Sequence, residues 1–273
     1  MKIFKIILLV VCCFSYNMFA QTTGLIYKFP SLETLLYRVN INGTGSWSSF
    51  DEKPSTFKVK TDFLLEFLNL GESEGLYQIK VTAKKSKIVV NEDIFEDTTT
   101  SETEISSFIP QLLLQVDKNG RIHKSVTLKR GLMDFAPFLG LFPVFPDSVT
   151  PGTKWTQKIE SFHLPSGKIP QLEFTYVYEG KTGNNEKIRF LSNQVIRETS
   201  KEKDTEVKIT GRNTSDGQIF FDASKGILIK SEGKLNLDVN YMFQVPDPDK
   251  KGKFLPVPVR IMLNLNFLFN QVK

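Results

Sequence analysis

Only two histidines, and no cysteine past Cys13, stand in this 273-residue chain, so the side chains that most often do covalent or metal chemistry are nearly absent. His123 follows Ile122 beside the turn Asp117-Lys118-Asn119-Gly120, and His163 sits in Ser161-Phe162-His163-Leu164-Pro165 at what reads as a hairpin end. Neither has a second histidine or a tight acid cluster at ligand spacing, which argues against a transition-metal site. A Ser-His-Asp set assembles in space rather than in sequence, but the Gly-x-Ser-x-Gly elbow is missing, as is any glycine-rich phosphate loop. Glu92-Asp93 and Glu96-Asp97 pair carboxylates in an acidic, Thr-rich stretch that reads as a solvated polar loop. The expectation is a non-catalytic protein with no metal and no cofactor.

The first twenty residues have the three zones of a cleaved export signal. Lys2 and Lys5 give a positive start, Ile6 to Phe14 an apolar core, and Ala20 a cleavage point before Gln21. Both cysteines, Cys12 and Cys13, fall inside it, so the mature chain has none. Lipidation at one of them is the alternative, although Val11 and Cys12 are poor neighbours for a lipobox. The expected location is periplasmic or extracellular, with association at the outer membrane an option. No later run approaches the roughly 20 apolar residues of a membrane helix.

The chain carries 35 basic and 30 acidic residues, and loss of Lys2 and Lys5 lowers the net charge from +5 to +3. That balance excludes nucleic acid as the expected partner. Short basic clusters (Lys84, Lys85 and Lys87; Lys201 and Lys203; Lys250, Lys251 and Lys253) read as solvated turn tips, with weak attraction to anionic lipid as the lesser reading. Phenylalanine is the outlier, 23 copies against 7 Tyr and 2 Trp. Having no polar handle, these rings must fill a core or line an apolar cavity. Asn42-Gly43-Thr44 and Asn213-Thr214-Ser215 are glycan acceptor sequons where the host glycosylates.

Period-two alternation dominates the elements that must position anything functional. Leu235, Leu237, Val239, Tyr241 and Phe243 interleave with polar residues, as do Val259, Ile261, Leu263, Leu265, Phe267 and Phe269. Leu35 to Ile41, Phe57 to Phe67, Tyr77 to Ala83 and Leu172 to Tyr178 follow suit, and turn signals join them as hairpins. A fixed offset also relates the halves: Leu65-Glu66-Phe67 recurs as Leu172-Glu173-Phe174, Gln111 as Gln218, and Gly120 is answered by Gly226. The expected fold is mainly β, with long curved antiparallel sheets from two related halves, half-barrel or sandwich-like. Its expected parts are a signal peptide over 1–20, a first repeat over 21–130, a connector over 131–150 and a second repeat over 151–273.

The connector is the exception to the strand pattern. From Gly131 to Phe145 its only charge is Asp134, and the spacing allows a short helix over Leu132 to Ala136 before Pro137, Pro143 and Pro146 end regularity. Such a segment must be a core plug, a gate over a cavity, or a membrane contact. Its Phe135, Phe138 and Phe142, with Phe63, Phe67, Phe174, Tyr176, Phe220 and Phe267 on strands, are the candidate ligand-lining residues.

The segment Pro143-Val144-Phe145-Pro146-Asp147-Ser148-Val149-Thr150-Pro151-Gly152-Thr153-Lys154-Trp155 resembles one in uncharacterised exported bacterial β-proteins, where an apolar helix ends and a Pro-Gly turn launches a tryptophan-bearing strand. More remotely, the chain is similar to the periplasmic lipoprotein-carrier superfamily. That resemblance implies a half-open barrel sheltering a lipid or acyl chain, and it lends no functional residue. The alternative is a structural or protein-interaction module of the envelope, without cargo, that docks an envelope protein partner.

Overall fold

The computed structural model describes residues 22–49, 53–91, 93–98, 110–129, 142–159, 162–164, 167–202, 205–246 and 254–272. The signal segment and positions 130–141, with the expected short helix, Phe135 and Phe138, lie outside them. The described residues form strands and no helix. In chain order these are β1 (Thr34–Ser49), β2 (Ser55–Ser73), β3 (Leu76–Val90), β4 (Asp93–Thr98), β5 (Gln111–Asp117), β6 (Ile122–Lys129) and β7 (Lys154–Ile159). There follow β8 (Phe162–Leu164), β9 (Gly167–Ile169), β10 (Leu172–Thr182), β11 (Asn185–Glu202), β12 (Thr205–Asp222), β13 (Ile227–Pro246) and β14 (Phe254–Val272).

All but β8 and β9, which pair with each other, join one sheet in the order β6-β5-β3-β2-β1-β14-β13-β12-β11-β10-β7, with β4 beside β3. Every pairing is antiparallel, and the open ends are β6 and β7. The alternation explains this directly, because each strand has one apolar face and one polar face. Of the two architectures expected, the single sheet matches the curved half-barrel and not a sandwich.

Two expected loops are strands. Lys84, Lys85 and Lys87 lie within β3, where the register against β2 slips between Leu64 and Leu65. One extra residue at this bulge reverses the faces, so Ile79, Val81 and Ala83 face the core before it and Ser86 and Ile88 after it. The acidic stretch forms β4, with Glu96 opposite Lys87 and Asp97 opposite Ser86. Backbone pairing with β3 places it there.

The sheet must curl. Phe145 N donates to Asn119 O at 2.8 Å in the β5–β6 turn, while Val144 N donates to the Gln157 side chain at 2.8 Å on β7. Those strands stand nine places apart, which is about 43 Å in a flat sheet. Two neighbouring residues touch both only because the sheet bends around them.

Candidate functional site on the concave face

Inside the bend, at the end where β1 begins and β14 finishes, lie two extended pieces, 22–33 and 142–153. They are tied by a reciprocal Thr23–Val149 bridge with N···O distances of 2.8 and 2.9 Å. Tyr27 is the hub. Its ring stacks on Phe145 at 5.1 Å and meets Phe221 edge-on at 5.3 Å, and its hydroxyl donates to Pro143 O at 3.1 Å. Phe142 sits against Tyr37, Phe67 and Phe269 with centroids 5.8, 5.2 and 4.9 Å away. The void left beside Tyr27, Phe29, Phe67 and Phe142 is about 30 Å³, room for about one water. Phe142 to Phe145, the described end of the 131–145 segment, pack as a plug at this end of the sheet. Burial drives the phenols of Tyr27, Tyr37 and Tyr176 far above their ordinary range, so they stay neutral.

Both turns that support the plug use an aspartate. Asp117 Oδ1 accepts from Asn119 N and Arg121 N at 2.9 Å each, and its Oδ2 lies 2.9 Å from His123 Nε2. Partial burial pushes this carboxyl up, but the His123 and backbone hydrogen bonds outweigh that and hold it below its usual range. A depressed carboxyl stabilises the fold above the unfolded-state value near 4 and stops doing so as pH falls through the folded one. Asp117→Ala should therefore lose about 1–2 kcal/mol at pH 7, an exposed-side value. Urea melts should show the gap from wild type shrinking below about pH 4.

A second aromatic group lies across the other half. Phe190, Gly217, Gly233 and Phe267 stand opposite one another on β11 to β14. A Cβ on Gly217 or Gly233 would lie 2.2 or 2.6 Å from Phe190 Cζ, so the ring lies flat over the glycine pair and stacks on Phe267 at 5.8 Å. Phe174 and Tyr176 complete the group, 6.1 and 6.3 Å from Phe190, and Trp155 stacks on Tyr176 at 5.4 Å.

The expected lining residues thus separate. Phe63 and Phe67 are buried in the core with Phe142 at the plugged end, while Phe174, Tyr176 and Phe267 surround Phe190. Phe220 is a correction: it alternates with the buried Ile219 and Phe221 and so faces outward, opposite Lys187 and Lys230. Sequence reasoning missed Tyr27 and Phe190, although Leu25, Tyr27 and Phe29 do alternate. It also placed a glycan sequon at Asn213, which is wholly buried.

Above the glycine pair come two rows that are polar on β11 and β12 and apolar on β13 and β14, Ser192–Ser215–Leu235–Leu265 and Gln194–Asn213–Leu237–Leu263. The rows Ile196–Gly211–Val239–Ile261, Ile209–Tyr241–Val259 and Val207–Phe243–Val257 then carry no polar side chain but the Tyr241 phenol. From Phe267 to Val257 is about 33 Å of strand. Backbone pairing of β10 with β11 stops at Thr175–Leu191. Beyond it Gln194 accepts from Glu173 N at 3.0 Å and donates to Gln171 O at 3.0 Å, and Glu198 accepts from Gln171 N at 3.1 Å. These side-chain hydrogen bonds bridge the seam. A separate opening of about 490 Å³ is of mixed character, with Phe57 and Met262 beside Thr44, Lys58, Asn91 and Asn264.

Among the described residues, no three of His, Cys, Asp and Glu converge to hold a metal, and no helix is long and apolar enough to cross a membrane. No protein family and no curated protein matches the chain. Among solved structures it is similar to lipovitellin, described as "lipid-protein interactions in lipovitellin", with a TM-score of 0.46 and 13% identity. The match covers 87% of this chain and 25% of that one, so the chain spans about a quarter of its length. Likeness of that degree leaves fold and ligand to be argued from this chain's own residues.

Proposed function

We propose that this is a non-catalytic, exported protein of the bacterial envelope that binds a lipid or acyl chain along the concave face of its sheet. The supporting observation is the extent of the apolar rows beyond the plug. The ring contacts of Tyr27, Phe29, Phe142 and Phe145 all fall on the plugged end or on Trp155 of β7. Along β13 and β14 the inward positions stay apolar for about 33 Å, more than the half-thickness of a bilayer's roughly 30 Å hydrocarbon core. Duplication of 21–130 in 151–273 across the connector 131–150 belongs to the same reading. It is supported by two aspartate-closed turns whose left-handed glycines, Gly120 and Gly226, pack on the neighbouring residues Tyr27 and Lys28.

A neutral pyrene-labelled alkyl probe tests the binding. Affinity should fall about tenfold in Phe267→Ala and Phe243→Ala, and stay at the wild-type value in the outward-facing Phe220→Ala. An absent signal, or equal effects from all three, would contradict the reading. The second reading, a structural or protein-docking module without cargo, is favoured by the solid plugged end with its void of only about 30 Å³, and it predicts no saturable uptake.

A further inference from the structure

The hairpin of the two longest strands outruns its neighbours. β13 and β14 pair with each other as far as Pro246–Phe254. Among the described residues, β1 leaves β14 at Ser49–Val259, and β12 leaves β13 at Val207–Phe243. The five pairs from Met242–Pro258 to Pro246–Phe254 therefore stand beyond β1, over about 17 Å of strand. The last three stand beyond both neighbours. A two-stranded hairpin with nothing beside it is marginal in water.

This end is also apolar on both faces. Of the ten residues in those five pairs only Gln244 is polar. Phe254, Pro256 and Pro258 take the outer positions, while Leu255 and Val257 take the inner ones that continue the concave face. Phe254 is 54% and Leu255 42% exposed, and both prolines are exposed. At the next outer position the face turns polar, where Arg260 donates to both carboxylate oxygens of Asp238 at 2.9 and 2.7 Å. Exposed apolar surface gathered in this way marks a contact.

What it contacts follows from its edge and its charge. A proline in a paired strand sits with its nitrogen turned away from the partner. Pro256 and Pro258 thus leave the β14 edge past β1 short of donors, which disfavours pairing with an added strand. The charges nearby almost cancel. The turn 247–253 has three lysines against two aspartates, and 201–206 has two lysines against three acids. A strongly charged surface of either sign therefore gains little here. The five charges of 247–253 are also too costly to carry into hydrocarbon, so the hairpin stays at a lipid surface and does not span. We propose that the free end of the β13–β14 hairpin docks on the surface of a zwitterionic bilayer, with Phe254 and Leu255 at the boundary between head groups and acyl chains. This rests on the apolar-ligand reading above: a protein that takes up an acyl lipid must meet the bilayer that holds it, and the inner row Val207–Phe243–Val257 begins at this hairpin.

The test uses the full chain, exported by a bacterial host, and phosphatidylcholine vesicles. Phe254→Trp places an emitter at the site, and Val195→Trp places one at a residue 58% exposed on β11. Trp47 and Trp155 are common to both, so the wild type supplies the background. Vesicles with brominated acyl chains should quench the added emission of Phe254→Trp and leave that of Val195→Trp unchanged. In co-sedimentation, Phe254→Ser combined with Leu255→Ser should weaken vesicle binding at least about tenfold. Both side chains are exposed, so that variant should melt as the wild type does; should it not fold, the tryptophan comparison decides alone. Salt at about 0.5 M should change wild-type binding less than about twofold. Binding to anionic vesicles only, lost in salt, would assign the contact to the lysines and overturn the site. No binding, or equal quenching at both positions, would overturn it as well. So would a doubled mass in light scattering that the two serines return to that of one chain, because a second copy would then cover the hairpin. Uptake of the neutral pyrene probe is read separately. If it persists without vesicle binding, the docking site falls and the ligand reading stands; if it is lost too, both fall.

Discussion

Tyr27→Ala should lose about 3–5 kcal/mol of stability in a urea melt, among the largest single losses in the chain. The expectation follows from where the ring sits. Tyr27 is 2% exposed, stacks on Phe29 and Phe145, and meets Phe221 edge-on. Its backbone N donates to Lys118 O at 2.7 Å, and its hydroxyl to Pro143 O. Truncation would open a cavity where the N-terminal piece, the plug and the β5–β6 turn meet, and leave a buried carbonyl without its donor. Tyr27→Phe keeps the ring and removes only the hydroxyl, so it should lose about 1–3 kcal/mol. If the two variants melted alike, the ring would not be what holds the plug.

Gly217→Val should be as damaging for the opposite reason. Its added Cβ would lie 2.2 Å from the Glu232 backbone oxygen on β13 and 2.2 Å from Phe190 Cζ. The first clash is with a partner strand and the second with a ring that has a glycine floor to lie on. Overpacking of this kind costs about 3 kcal/mol or more. Adding Phe190→Ala should relieve only the ring's share, and the double-mutant cycle measures how much. Full rescue by Phe190→Ala would show that the backbone yields, and that the glycine pair is needed only for the ring.

Strand existence was legible because period two is unambiguous in segments as long as β13 and β14. It failed locally where geometry changed the period. The bulge at Lys84 swaps the faces of β3, which made a continuous strand look like a basic turn. In β12 the run Ile219-Phe220-Phe221 offers two adjacent rings, and only register shows that Phe221 goes in and Phe220 out. The plug partner at Leu25 to Phe29 is too short to signal a strand and bonds to residues far along the chain, Lys118, Pro143 and Gly226. Polar residues of the concave face were hidden for another reason. Ser192, Asn213 and Ser215 look like surface residues in sequence, and burial of Asn213 follows from its place in the row between Gln194 and Leu237. An abundance of phenylalanine pointed to an apolar face but not to which rings share it, since Phe190 reaches Phe267 across two intervening glycines.

The central claim is that the concave face carries an apolar ligand, and the most direct measurement is the mass of the protein itself. The full chain, exported by a bacterial host and purified without detergent, is weighed under native and then denaturing conditions. The account predicts an added mass in the native spectrum that organic solvent releases and that analyses as a lipid or acyl chain. A native mass equal to that of the bare chain, with no lipid in the extract, would contradict it.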